Sequence, residues 1–255
     1  MVIDRRRACP VISGMPTPSL KPLPLYKALL DRFGPQGWWP TTPPGGAEPV
    51  YDPQQRNADL TERQRWEIIV GAVLTQNTAW RNVTMALQAL AAAGVMDVPK
   101  VAGADLRRLT RLLRPARYYN QKGRRLRDLA RYILGRHAGR PSNLLAGELS
   151  DVRKRLLSLP GIGPETADSI LLYADHRPIF VVDAYTRRIV ERLGMAAGEL
   201  SYDRLQRLFM DKLPADPDLF NQFHALLVRH AAEVCKTRPS CAACCLLSNC
   251  PMGGG

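Results

Sequence analysis

The chain has 255 residues and a mass of 28.4 kDa, with 45% hydrophobic residues, enough for one sizeable core or two lobes sharing a boundary. Its 36 basic and 23 acidic residues leave a formal charge of +13 and a sequence pI near 9.9, so the expected partner is an extended anion, nucleic acid or an anionic membrane surface. No apolar run approaches the roughly 20 residues that a membrane-spanning helix needs, which excludes an integral helical membrane protein.

The opening "MVIDRRRACPVISGMPTPSLKPLPLY" has three arginines but no continuous apolar stretch of the signal-peptide kind. Pro10, Pro16, Pro18, Pro22 and Pro24 should break a helix there, and residues 1–24 read as a flexible basic arm. The expected location is cytoplasmic, and nucleoid-associated in a bacterium. A first helix, Leu25 to Phe33, should end at Gly34. From there to Asp59 the composition shifts to Pro, Gly and Trp, a long loop whose two adjacent tryptophans predict packing against something.

From Thr61 on, helical periodicity dominates. Thr61 is placed to cap "ERQRWEIIVGAVLTQ", and "AWRNVTMALQALAAAG" runs until Gly94. Further helices are expected in "ADLRRLTRLLR", "QKGRRLRDLARYILGRH", "LSDVRKRLLSL", "PETADSILLYA", "AYTRRIVERLG", "SYDRLQRLFMDKL" and "LFNQFHALLVRHAAEVC". Apolar runs such as "PIFVVD" are too few for a sheet, so the fold class is all-α.

Within "LSLPGIGPETADSILLYA", Gly161 and Gly163 permit backbone angles closed to other residues, and Pro164 suits the first position of the next helix. The free N–H groups of such a turn point outward and attract phosphate. A G-x-G on its own fits an ordinary helix–helix turn of a bundle better than a phosphate grip. Three further features accompany it: "LTQNT" upstream, "YYNQKGRR" between, and Asp183 in "FVVDAYTRRI", twenty residues beyond Gly163; a cysteine-rich end follows.

Together these resemble the helix-hairpin-helix DNA glycosylases of the endonuclease III superfamily, over about residues 60 to 250. The resemblance implies that the hairpin, with Gly161, Gly163 and Thr166, grips the DNA backbone, and that Asp183 assists cleavage of the glycosidic bond. Asp183 also suits the N-cap of the helix that follows it. Members that nick DNA carry a lysine two residues after the second hairpin glycine. This chain has Glu165 there, and a carboxylate forms no Schiff base with a sugar aldehyde. Base removal by hydrolysis, with weak or no lyase activity, is therefore expected. An acid in the first turn of a helix is also favourable to the helix dipole.

The patterns "AVLTQNTAW" and "RPARYYNQKGRRL", with "WWP" upstream, look like the bacterial 3-methyladenine glycosylases of the endonuclease III type. That likeness implies a base pocket lined by Trp38, Trp39 and Trp80, whose faces favour the cationic ring of an N-alkylated purine. These residues also suit ordinary core anchors. Members of that group can carry a lysine directly after the "V-D", where this chain has Ala184. Gln76 and Tyr118 match positions that enter the duplex gap left by a flipped base. Lys122, with Arg124, Arg125 and Arg127 beside it, is expected to contact phosphate.

Five of the six cysteines lie in "CKTRPSCAACCLLSNC". Cys235, Cys241, Cys244 and Cys250 give C-x5-C-x2-C-x5-C, which points to a metal centre rather than disulfides. Spacing alone leaves [4Fe–4S] and zinc open, and the resemblance implies the cluster. Cys245 is an alternative to Cys244. The expected architecture is a helical lobe over 62–183 and a cluster lobe from 25–61 with 184–255, acting as a monomer on double-stranded DNA that contains a damaged base. Two alternatives stay open: a bifunctional endonuclease III acting on oxidised pyrimidines, and a non-catalytic binder of distorted DNA.

Overall fold

The computed structural model describes residues 20–53, 60–196, 198 and 200–253. Most of the basic arm, residues 1–19, lies outside them. Among the described residues the regular structure is helical, apart from one isolated antiparallel bridge between Thr41 and Val50, as the apolar periodicity requires. The helices are α1 (Pro22–Phe33), α2 (Glu62–Thr75), α3 (Trp80–Ala92), α4 (Val98–Gly103), α5 (Leu106–Leu112) and α6 (Tyr119–Arg136). They continue with α7 (Pro141–Leu145), α8 (Leu149–Leu157), α9 (Pro164–Ser169), α10 (Ala184–Arg192), α11 (Tyr202–Met210) and α12 (Pro217–Glu233).

Two details differ from expectation. Pro22 and Pro24 do not stop a helix but open α1, because the first-turn N–H groups they lack have no intrahelical partner in any case. The short helices α4 and α7 have too few residues to show a periodic signal; Asp97 caps the first through the Lys100 N–H at 2.8 Å.

The chain divides into two compact units. One comprises residues up to Pro35, Val182–Pro214 and those from Gln222 on; the other comprises Gln36–Val181 and Ala215–Asn221. The "WWP" segment thus belongs to the larger unit, not to the lobe that carries the cysteines, and Asp183 belongs to the smaller unit rather than to the helical lobe. The reason for the first difference is local. Trp39 is buried against Gly71 of α2, where a Cβ would come within 2.8 Å of the indole.

In the larger unit α2 is the central element. Trp66 to Leu74 are all buried, the pattern of a helix surrounded by protein, and α2 packs on α3, α6, α7 and α9. Its start is fixed by a reciprocal capping box between Thr61 and Gln64. α9 widens after Ser169 into a π turn over Ile170–Ala174, every residue of which is buried. In the smaller unit α1, α11 and the later part of α12 share an aromatic core, with Phe223 edge-on to Tyr26 at 5.4 Å and to Phe209 at 5.5 Å.

Candidate active site

The hairpin consists of α8, the turn 158–163 and α9. Gly161 has φ +80°, and a Cβ there would collide with the Arg125 guanidinium, so this glycine is required twice over. Gly163 is different from the expectation. Its φ of −93° and ψ of 179° are extended backbone open to any residue, and no atom lies within 4 Å of the place of its Cβ. What glycine supplies at 163 is open space in front of the α9 N-terminus.

Three of four side chains expected at DNA are engaged within the protein. Gln76, at the C-cap of α2, donates through Nε2 to the Gly161 carbonyl and to Thr166 Oγ1, both at 2.9 Å, and accepts from Arg125 at 3.1 Å. Its amide is therefore engaged within the protein, tying α2 to the hairpin, rather than presented to a duplex. Thr166 is buried beneath it and not at the surface. Lys122 is 2% exposed, so the expected phosphate contact is replaced by internal bonds: its Nζ donates to the carbonyls of Leu74 and Gln76 at 2.8 Å and to Thr78 Oγ1 at 2.7 Å. Burial, with the charge of Arg125, lowers its pKa to about 8. Tyr118 is 62% exposed, in a left-handed conformation before α6. Asn77, exposed with φ +54° at the tip of the α2–α3 turn, carries no mark in sequence.

The tryptophans converge. Trp38 meets Trp80 edge-on at 4.7 Å and Trp39 at 4.9 Å; Trp39 meets Trp80 at 5.2 Å and Tyr173 at 5.2 Å. Trp39 and Tyr173 are buried, and Trp38 and Trp80 are half-buried. Rings touching edge to face leave no gap for a third ring between them, so a guest base must stack on the outer faces or part them. Periodicity hides Tyr173 in an apolar run. Glu67 also gave no signal: fully buried, it accepts from Thr42 N at 3.1 Å and Thr42 Oγ1 at 2.7 Å and so anchors the chain just after "WWP". Burial raises its pKa against those bonds.

Asp183 caps α10, Oδ1 accepting from the Thr186 N–H at 2.7 Å. Its side chain is 14% exposed, and Oδ2 lies 3.6 Å from Nε2 of the buried His224 on α12. Burial opposes the charge, but the nearby His224 imidazole and the Thr186 N–H outweigh it and hold the carboxyl below the usual range. His224 in "NQFHALLVRH" carries no sequence signal; only the fold brings it to Asp183. Glu165 is exposed in the first turn of α9.

Among the described residues the five cysteines are thiols, not disulfides. Burial raises Cys244, Cys245 and Cys250; the charges of Cys245, Cys235 and Cys250 raise the first further, and those of Cys235 and Cys241 the last. Cys245 thus shares this neighbourhood with Cys244, and it also feels the charge of Arg32. Among the described residues no group of three or more His, Cys, Asp or Glu side chains is arranged to hold a metal ion. Four cysteine thiols at C-x5-C-x2-C-x5-C spacing nevertheless fit a four-thiolate centre in donor number and chemistry. Arg192 donates to Cys235 Sγ at 3.3 Å and Arg188 to the Cys235 carbonyl at 3.0 Å, so α10 fixes the start of this loop.

A helix-hairpin-helix with an aspartate capping a following helix, in an all-helical chain, defines a DNA-repair class of fold. The profile of the HhH-GPD superfamily of base excision DNA repair proteins matches residues 70–215. The chain belongs to that superfamily, the endonuclease III-like DNA glycosylases of base excision repair. It is 36% identical over 222 residues to a protein of Methanocaldococcus jannaschii named as a DNA repair glycosylase, covering 86% of this chain and 91% of that one. Endonuclease III of Thermotoga maritima is 27% identical, with 74% and 84% covered. Among solved structures, the Helicobacter pylori 3-methyladenine DNA glycosylase bound to 1,N6-ethenoadenine superimposes with a TM-score of 0.66 at 28% identity, over 84% of this chain and 98% of that one. An endonuclease III–DNA complex superimposes with a TM-score of 0.69 at 19% identity, over 89% and 92%, and shares the fold.

Proposed function

We propose that the chain is a monofunctional DNA glycosylase that hydrolyses the N-glycosidic bond of N-alkylated purines in double-stranded DNA, acting as a monomer. The indole cluster of Trp38, Trp39 and Trp80 carries this reading. Ring faces attract cations by about 0.5 to 2 kcal/mol, and an alkylated purine is cationic where an ordinary or oxidised base is neutral. The Helicobacter pylori relative named for 3-methyladenine supports the same substrate class.

Asp183 is the catalytic carboxylate. Ionised at neutral pH, it orients a water and accepts its proton as the oxygen bonds to the sugar C1′, while the glycosidic electrons leave with the base and neutralise its ring. Its charge also offsets the positive charge that develops on the sugar. The α9 N-terminus behind Gly163 binds backbone phosphate, and exposed Tyr118 enters the duplex. Cys235, Cys241, Cys244 and Cys250 would hold a [4Fe–4S] cluster that supplies a rigid, non-catalytic brace for the C-terminal loop.

Glu165 decides the second half of the proposal, because its carboxylate has no amine to condense with the abasic sugar. Borohydride added to the protein with abasic duplex should trap no covalent adduct, whereas an endonuclease III control does. A trapped adduct at control yield would assign the chain to the bifunctional enzymes.

A further inference from the structure

Lys122 is the one lysine that the fold encloses completely, and every donor of its ammonium has an acceptor. Two of these are the Leu74 and Gln76 carbonyls at the end of α2, where main-chain oxygens lack intrahelical partners and the helix dipole is negative. The third, Thr78 Oγ1, lies beyond Asn77, whose φ of +54° is uncommon for a residue with a side chain. The ammonium thus bridges both sides of the sharpest point of the turn. One helical turn further along α6, Arg125 bonds the Gln76 side chain and lies against Gly161. The two cations of α6 divide the work, one holding the main chain of the turn and the other its side chain.

We infer that Lys122 is a positioning residue for base excision: it fixes the Leu74–Thr78 turn so that Gln76 stays latched to the hairpin and Trp80 begins α3 within the indole cluster. The assignment rests on the reading of the hairpin and Trp80 as DNA-binding parts. The Gln76 carbonyl also accepts from Thr78 Oγ1 at 3.3 Å, so the ammonium and this hydroxyl close the turn together. Removing the ammonium takes its donor from the Leu74 carbonyl and leaves the Gln76 carbonyl with the longer bond alone, and the turn relieves the loss by opening.

The test uses Lys122→Met together with the milder pair Thr78→Val and Thr78→Ser, in the full chain. Val removes an acceptor without loss of shape, and Ser restores it. Hydrogen exchange of amides 75–80 should quicken at least about tenfold in K122M and T78V, with α10 amides unchanged as an internal control, and return to the wild-type rate in T78S. Single-turnover release of 3-methyladenine from duplex should fall by about tenfold in K122M and T78V, binding to undamaged duplex should stay within about twofold, and T78S should behave as wild type. Unchanged exchange at 75–80 would overturn the inference, as would excision at the wild-type rate despite a lowered melting temperature, which marks a purely structural lysine. If the wild-type protein releases no alkylated base, the proposed function fails and the exchange experiment still decides the role of Lys122.

Discussion

Asp183 in the smaller unit and Lys122 in the larger are both withdrawn from solvent, and the two are accommodated in different ways. Burial pushes both toward the neutral form. At Asp183 a histidine and a main-chain N–H overcome that push, and the carboxyl ends below its usual range. At Lys122 the partners are neutral oxygens and Arg125 is a like charge, so the ammonium ends near pKa 8 instead of 10.5. In the roles proposed for them, Asp183 must be ionised across the working range for chemistry, while Lys122 needs only its donors to hold the turn.

The largest expected effect is at Asp183. Replacing it by Asn removes the base and the negative charge while keeping an oxygen for the cap, so single-turnover base release should fall by about 100-fold or more with duplex binding retained. An unchanged rate would leave the contrast between the two groups without a functional side.

The next effect concerns His224. With His224→Asn the burial of Asp183 is opposed mainly by the Thr186 N–H, so its pKa rises. For the wild type, activity should persist through mildly acidic pH and be lost only below the ordinary carboxylate value of 3.8. The same depressed pKa contributes stability above 3.8 that is lost as pH falls through the folded value. In H224N the acid limb of the pH–rate profile should move upward; a limb that stays in place would show that the histidine does not govern the carboxylate.

Lys122 sets the third expectation. The unfolded chain keeps this proton up to about 10.5 and the folded chain releases it near 8. Between those values the unfolded state binds more protons, so this group makes stability rise with pH, by about 1.4 kcal/mol per unit at most. The difference in unfolding free energy between wild type and K122M should carry that slope, and parallel curves would refute it. The smallest effect is at Thr61, where Ala removes a solvent-side cap and should cost about 1 kcal/mol in denaturant unfolding.

Helix order was legible because apolar spacing, Gly34, Gly94 and the Thr61 cap act locally. The hairpin was legible as a motif, but not the state of its neighbours. Lys122 sits in a run of cations whose other members are exposed or half-buried, and it differs from them in what α6 packs against; Gln76 looks free until its amide is seen bound to Gly161 and Thr166. Gly161 and Gly163 read alike in sequence, yet only Gly161 adopts a positive φ. His224 lies 41 residues from Asp183, and no periodic signal spans that interval. Local chemistry is written in neighbouring letters, whereas the fate of a buried charge depends on segments that meet only in the fold.

The most direct measurement compares base release with strand nicking on duplexes carrying a single 3-methyladenine analogue or a single thymine glycol, before and after alkali. The account predicts release of the alkylpurine, breaks that appear only after alkali, and no action on thymine glycol. Nicking of the thymine glycol duplex without alkali would contradict it.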